Sequence, residues 1–262
     1  DQCFWDLESV RSNKVGLVKK MDFWKRGLQH PAALRLYSHV IAGNKYLAGI
    51  AAAVQTNDRI AIIPTPIDCK LYTPIEKKSQ SAPIIIGWAG SGENHLRHLE
   101  LLIKPLQELI KQYSINFKLV GAMRSDRIKN LFGFLDSKFI SIDWVDSDEL
   151  PRIIQSFDIG VMPLKDDDES RGKCAFKVLQ YMASGIPGVI SPVGVNKEIV
   201  EDGINGFLAG DTGEWIKKLS RLIEDEVLRK DFARNGRKTA EEQYSLDKTS
   251  NAFMEIVERF KI

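Results

Sequence analysis

The chain has 262 residues, 44% of them hydrophobic and 27% charged, ordinary globular values that exclude a disordered or collagen-like chain. That length holds one large domain or two of the usual ~100–150 residues. Its 37 Lys and Arg against 35 Asp and Glu leave a net charge of +2, too small a surplus to point to nucleic acid. Apolar stretches such as Leu47–Val54 fall far short of the ~20 residues a membrane-spanning helix needs. The three cysteines, Cys3, Cys69 and Cys174, are too few and too scattered for a disulfide framework or a metal pair, so a reducing, cytoplasmic location is expected. The sequence starts at Asp1, has its first methionine at Met21 and opens on no signal-like segment, so it reads as a fragment.

In chain order, the pattern predicts helices around Val15–Leu28 and Pro31–Leu36, a strand at His39–Ala42, a helix at Asn44–Val54 and a strand at Ile60–Pro64. Residues 1–75 thus read as the tail of one α/β domain. The polar run Glu76–Ala82, between Pro74 and Pro83, reads as a linker. Short apolar runs then recur at Ile84–Trp88, Phe117–Gly121, Phe139–Ile142, Ile159–Pro163 and Gly188–Ser191. Helical spacing fills the gaps: in His95–Tyr113, Leu96, Leu99, Leu102, Ile103, Leu106, Leu109 and Ile110 repeat at three- and four-residue steps. Strands alternating with helices predict an α/β fold, a Rossmann-like, doubly wound parallel sheet over residues 83–244, beside the partial second domain. Three helices close the chain, at Thr212–Ile223, Glu226–Tyr244 and Ser245–Phe260.

Two constellations carry chemistry. Gly87-Trp88-Ala89-Gly90-Ser91-Gly92 lies between a strand and a helix, where glycines admit a ligand close to the backbone and the helix start suits a phosphate. The alternative is an ordinary tight turn that needs glycine for its backbone angles. The second is Arg171-Gly172-Lys173-Cys174-Ala175-Phe176-Lys177-Val178-Leu179-Gln180. Read as a helix from about Lys173, it sets Lys173, Lys177 and Gln180 on one face, with Arg171 at its mouth, to hold a diphosphate and a ribose hydroxyl. Against this stands a basic helix face simply turned to water. The run follows a strand end, which is where open α/β sheets bind ligands.

The segments Asp158–Leu164 and RGKCAFKVLQYMASGIPGVISPVGVNKEIVEDGINGFLA (Arg171–Ala209) resemble the C-terminal domain of family 4 (group 1) glycosyltransferases. IGWAGS (Ile86–Ser91), KLVG (Lys118–Gly121), the stretch Ile142–Val145, GEW (Gly213–Trp215) and YSL (Tyr244–Leu246) extend the likeness. His39–Ala48 and Ile60–Asp68 are similar to the end of that family's N-terminal domain. The resemblance implies a GT-B enzyme that transfers a sugar, with retention, from a nucleoside-diphosphate sugar to a glycan or lipid-linked acceptor, with no metal or other cofactor. It implies a donor site at Gly90, Ser91, Arg171, Lys173, Lys177 and Gln180, and a nucleobase flanked by Gly121, Trp144 and Val145. It also implies that residues 245–262 cross back to the N-terminal domain. The sequence departs from the pattern in four places: Gly172 and Gln180 stand where many members carry glutamates, and Ser91 and Leu96 where they carry arginine and lysine.

Other features have plainer readings. Asp166-Asp167-Asp168-Glu169 suggests a metal site but reads as a solvated loop or a lid over the sugar. His95 and His98 lack a third metal ligand and read as a surface helix. Cys174 reads as packing rather than as a nucleophile, and Trp88 and Trp144 as core or pocket wall. Between Arg11 and Lys45, eight basic residues (Arg11, Lys14, Lys19, Lys20, Lys25, Arg26, Arg35, Lys45) accompany one acid, Asp22, with Leu17, Val18, Phe23 and Trp24 interleaved. That face suits either water or peripheral contact with the cytoplasmic side of an anionic membrane. A non-catalytic nucleotide-binding or interaction module is the rival to the enzyme. A nucleotide-sugar epimerase of the same two-domain fold is a third reading.

Overall fold

The computed structural model describes residues 33–76, 83–122 and 124–260. The expected helix at Val15–Leu28, most of the basic stretch and most of the linker lie outside them.

After helical residues 33–36, the described part of the expected helix at Pro31–Leu36, come two short parallel strands, β1 (Val40–Ala42) and β2 (Ile60–Ile62), joined through α1 (Lys45–Ala52). Then follow β3 (Ile84–Ala89), α2 (Leu96–Leu99), α3 (Ile103–Gln112), β4 (Ile115–Val120), α4 (Asp126–Phe132), β5 (Phe139–Ile142), α5 (Leu150–Gln155) and β6 (Ile159–Met162). The chain continues through α6 (Asp168–Arg171), α7 (Phe176–Ala183), β7 (Gly188–Ile190), α8 (Asn196–Ile199) and β8 (Phe207–Leu208). It ends on α9 (Thr212–Glu224), α10 (Glu226–Gln243) and α11 (Leu246–Phe260).

The large sheet is wholly parallel in the order β5-β4-β3-β6-β7-β8. Numbered from β3, this is the doubly wound order that reverses direction between its first and fourth strands. Every predicted strand of this sheet is present, and β8 is an addition too short to read in the sequence. Alternate side chains of the central strands feed two cores. Ile86, Trp88, Phe117 and Leu119 pack with Leu99, Leu102, Leu106 and Trp215 on one face. Ala89, Val120 and Met162 pack with Val178, Leu179 and Tyr181 of α7 on the other. Full burial of each such large side chain contributes ~1.5–3 kcal/mol. The single helix expected over His95–Tyr113 is broken instead: a 3-10 turn at Glu100–Leu102 separates α2 from α3. Pro105 in the first turn of α3 is the cause, since it has no N–H to continue a helix from the preceding turn.

The segment after β2 runs against the large domain. Ile67 pairs with Ser245 just before α11, and the Tyr72 hydroxyl accepts a hydrogen bond from Gln180 Nε2 at 2.7 Å. Arg237 of α10 fastens this segment. It donates to the carbonyls of Tyr72, Ala183 and, at 2.9 Å, Cys69, and it pairs with Glu241. The Ala183 carbonyl belongs to the C-terminal end of α7, where a cation also favours the helix dipole. At the end of α11, Phe260 stacks on His39 with ring centroids 3.7 Å apart.

Arg237→Ala leaves three carbonyls without their donor. It is expected to cost about 3 kcal/mol, a fall in Tm of roughly 10 °C by circular dichroism. Arg237→Lys, which has no planar fork, should recover only part of that loss; a Tm unchanged in both variants would show that the segment is held by its apolar side chains alone.

Candidate functional site

The sheet reverses order between β3 and β6, and the loops that leave these two strands frame a crevice. On the β3 side the chain turns at Gly90 (φ +150°), whose N–H donates to Val120 O at 3.0 Å. The neighbouring strand turns at Gly121 (φ +88°), and a Cβ built there would lie 1.9 Å from Gly90 O. The two turns can lie this close only because Gly121 has no side chain, and both turns use the positive φ that glycine allows. Gly92 N–H donates to Gly121 O at 2.9 Å and completes the seam.

On the β6 side, the acidic run proves to be structural. Asp167 caps α6 through Ser170 N–H, Asp166 and Asp168 pair with Arg171, and Arg97 bridges Asp167 and Glu169. After α6 the chain passes Ala175, held left-handed at φ 54°, and enters α7 at Phe176 with no side-chain cap on its first turn. The helix therefore starts three residues later than the sequence pattern suggested. The left-handed residue at Ala175 breaks the run, and Lys173 stands in the loop before it. Lys173, Lys177 and Gln180 do not share one helix face. Lys173 pairs with Glu169 at 2.8 Å. Gln180, only 4% exposed, donates through Nε2 to the Tyr72 hydroxyl at 2.7 Å, away from Lys173 and Lys177. Arg171 turns toward a separate pocket of about 250 Å³ at the seam with α1, lined also by Asn44, Tyr46 and Glu198.

Lys177 is the residue left over. Its ammonium lies 5.3 Å from the centre of the Trp88 ring, and a Cβ on Gly90 would meet Lys177 Cε at 2.5 Å. Among the described residues no carboxylate or hydrogen-bond acceptor pairs with it. Burial, and then the charge of Lys173, push its pKa down to about 8. Trp88 is 1% exposed and so is core, as one of its two readings held, but its ring face also forms the floor under this cation.

The two histidines are not on a surface helix. His98 is 1% exposed, and its Nδ1 accepts from Lys165 N–H at 3.0 Å, which places the ring proton on Nε2, an atom with no partner. His95 Nδ1 donates to Ser91 O at 2.8 Å. Burial holds the His95 pKa down at about 4 and that of His98 at about 3, with Lys177 and Arg97 respectively adding to the effect. Both rings are neutral near pH 7 and act as rigid ties: His95 steadies the Gly90–Ser91 turn, and His98 the start of the acidic loop. Among the described residues no group of three or more His, Cys, Asp or Glu could hold a metal ion.

Past β5, Trp144 is 68% exposed, so it is neither core nor an enclosed wall, while Val145 packs against the core and Gly121 ends β4. The structure thus gathers Gly90, Ser91 and Lys177, with Lys173 close enough for its charge to act on Lys177, and sets Gly121, Trp144 and Val145 on the adjoining strand ends. It directs Arg171 and Gln180 elsewhere. The ties of His95 to the Gly90–Ser91 turn and of Tyr72 to Gln180 were missed because only the folded chain brings these residues together.

A wholly parallel sheet in this order, with glycine turns at its switch point, defines a Rossmann-like α/β domain. The chain belongs to the group 1 glycosyltransferases: the family model described as "Glycosyl transferases group 1" matches residues 83–225, more than half of its length. An uncharacterised glycosyltransferase of Methanocaldococcus jannaschii is 28% identical over 172 residues, covering 63% of this chain and 41% of its own length. The D-inositol 3-phosphate glycosyltransferase of Salinispora arenicola is 32% identical over 111 residues, 42% of this chain and 23% of its own. The chain therefore spans less than half the length of these curated relatives. Sucrose-phosphate synthase from Thermosynechococcus elongatus superposes with a TM-score of 0.77 at 18% identity, over 96% of this chain and 65% of that one. Anabaena HepE, in complex with UDP and glucose, gives 0.69 at 20% identity, over 87% and 67%. At these identities the likeness is one of fold, and it matches the GT-B expectation.

The lowered pKa of Lys177 has a stability consequence. The unfolded chain holds this proton up to the ordinary lysine value of 10.5 and the folded chain releases it near 8, so folding stability rises with pH across that window. Below about pH 8 the buried charge is a standing cost. Lys177→Met is therefore expected to raise Tm by roughly 5 °C at pH 7, with the gain shrinking toward pH 10. Thermal melts of both proteins across pH 7–10 check this.

Proposed function

We propose that this chain carries the donor half of a family 4 glycosyltransferase that moves a sugar, with retention, from a nucleoside-diphosphate sugar to an acceptor hydroxyl. The observation that carries the proposal is the uncompensated Lys177 ammonium beside the Gly90 turn. A half-buried cation with no counter-charge among the described residues is stabilised by an anion, and the uncapped first turn of α7 offers N–H groups to the same guest. The diphosphate then lies between Gly90–Ser91 and α7, met by Lys177 and, once its pairing with Glu169 exchanges, by Lys173. The nucleobase lies toward Gly121, Trp144 and Val145, where the exposed Trp144 ring is free to cover it. Lys177, Lys173 and the dipole of α7 offset the charge of the leaving diphosphate, so the proposed reaction uses no metal or other cofactor. The acceptor is a glycan or a lipid-linked glycan, and the proposed location is cytoplasmic. Among the described residues no helix is long and apolar enough to cross a membrane, and contact with one is proposed only through the basic residues between Arg11 and Lys45.

A second reading, a nucleotide-binding module without catalysis, is favoured by Gly172, which offers no carboxylate, and by Gln180, which is held by Tyr72. Calorimetric titration with UDP, GDP and ADP is expected to give saturable binding to one of them. Affinity should weaken about 30-fold in Lys177→Ala, the scale of one lost charge-assisted contact, and in the unmodified chain it should fall as pH rises through about 8, where Lys177 loses its charge. Binding that survives Lys177→Ala unchanged would remove the donor site from this crevice. Binding without sugar transfer from the matching nucleotide sugar would select the module.

A further inference from the structure

Asn44 lies on the N-terminal unit, 4% exposed, and does two jobs with one amide. Its Oδ1 accepts from Leu47 N–H at 2.8 Å and so caps α1. Capping needs only that oxygen, and Ser, Thr or Asp would supply it as well. The other half of the amide reaches across to the large domain. Nδ2 donates toward the carbonyls of Gly172 and Lys173, each at 3.2 Å, and of Arg171 at 3.4 Å. With the oxygen committed to the cap, the amide orientation is fixed, and its two N–H groups serve three consecutive carbonyls.

Those carbonyls belong to the turn between α6 and the left-handed Ala175. The same turn sets Lys173 against Glu169 and aims the first turn of α7, with Lys177, at Gly90. Neighbouring contacts serve the same seam. Gly43 leaves the space in which Cys174 Sγ sits, since a Cβ there would lie 2.5 Å from the sulfur. Asp168 lies near Tyr46 and raises its pKa, and Lys45 pairs with Glu198 at 2.9 Å. We infer that Asn44 is a positioning residue of the donor site: it fastens the Arg171–Lys173 turn to the N-terminal unit and thereby fixes the approach of α7 to the Gly90 loop. The inference rests on the donor-site reading above, and it adds that the anion site is assembled by both units rather than by the large domain alone. Asn44 touches no reacting group; it acts through the backbone of the turn.

Asn44→Ser keeps a capping oxygen and deletes the donor; Asn44→Asp keeps the cap and turns an oxygen toward the three carbonyls. Asp211→Ala is the control, because it removes the N-cap of α9, away from the site, at a similar cost in Tm. Hydrogen exchange of the ligand-free chains should be about tenfold faster over residues 173–178 in Asn44→Ser, and faster still in Asn44→Asp, with Asp211→Ala unchanged there. Affinity for the nucleoside diphosphate identified by titration should fall about tenfold in Asn44→Ser and hold in Asp211→Ala. Exchange over 173–178 that matches the unmodified chain would overturn the inference and reduce Asn44 to a helix cap. If the unmodified chain binds no nucleotide, the donor reading fails, and the exchange comparison alone upholds or overturns the tie between Asn44 and the turn.

Discussion

The structure turns on one unbalanced charge. Lys177 sits over the Trp88 ring and against the Gly90 backbone, with no acid among the described residues to meet it, at the point where the sheet reverses order. Every other cation around the crevice is spoken for: Lys173 by Glu169, Arg97 by Asp167 and Glu169, Arg171 by Asp166 and Asp168. Among the described residues the acidic loop thus neutralises its own surroundings and leaves Lys177 without a counter-charge.

The supports of that lysine are spread widely along the chain. Gly121 must lack a Cβ for the turns after β3 and β4 to lie side by side, and Gly90 must lack one to make room for Lys177. His95 ties the turn after β3, and His98 ties the loop after β6, each as a neutral ring held by burial. Asn44 holds the turn before α7, and Arg237 holds its far end. The eight-residue helix α7 is thus fixed at both termini by residues from other elements. Membership of the group 1 glycosyltransferases accords with this frame.

Much of the fold was legible in advance. Hydrophobic runs of strand length separated by helical periodicity gave the parallel sheet and all of its strands except β8, whose two paired residues carry too little pattern to read. The break in the helix after His95 was missed because periodicity continues across Pro105, and only the missing N–H of that proline interrupts the hydrogen bonding. The site was legible in type and less so in detail. The basic run from Arg171 to Gln180 announced anion chemistry, but the left-handed Ala175 shifted the helix start and scattered the expected face.

The sequence by itself determined the α/β class, the strand order's raw material, the glycine turn after β3 and the presence of a basic segment where an α/β sheet binds ligands. These follow from local rules: periodicity, turn chemistry and charge along a few consecutive residues. Tertiary structure decided which lysine near the switch point has no counter-charge among the described residues, that the acids of 166–169 pair with nearby cations, that Gln180 bonds to Tyr72, and that His98 is buried and His95 half-buried. Those outcomes depend on partners far apart in sequence, such as Asn44 with Lys173 or Tyr72 with Gln180, and no local pattern encodes a contact whose energy exists only once the two segments meet.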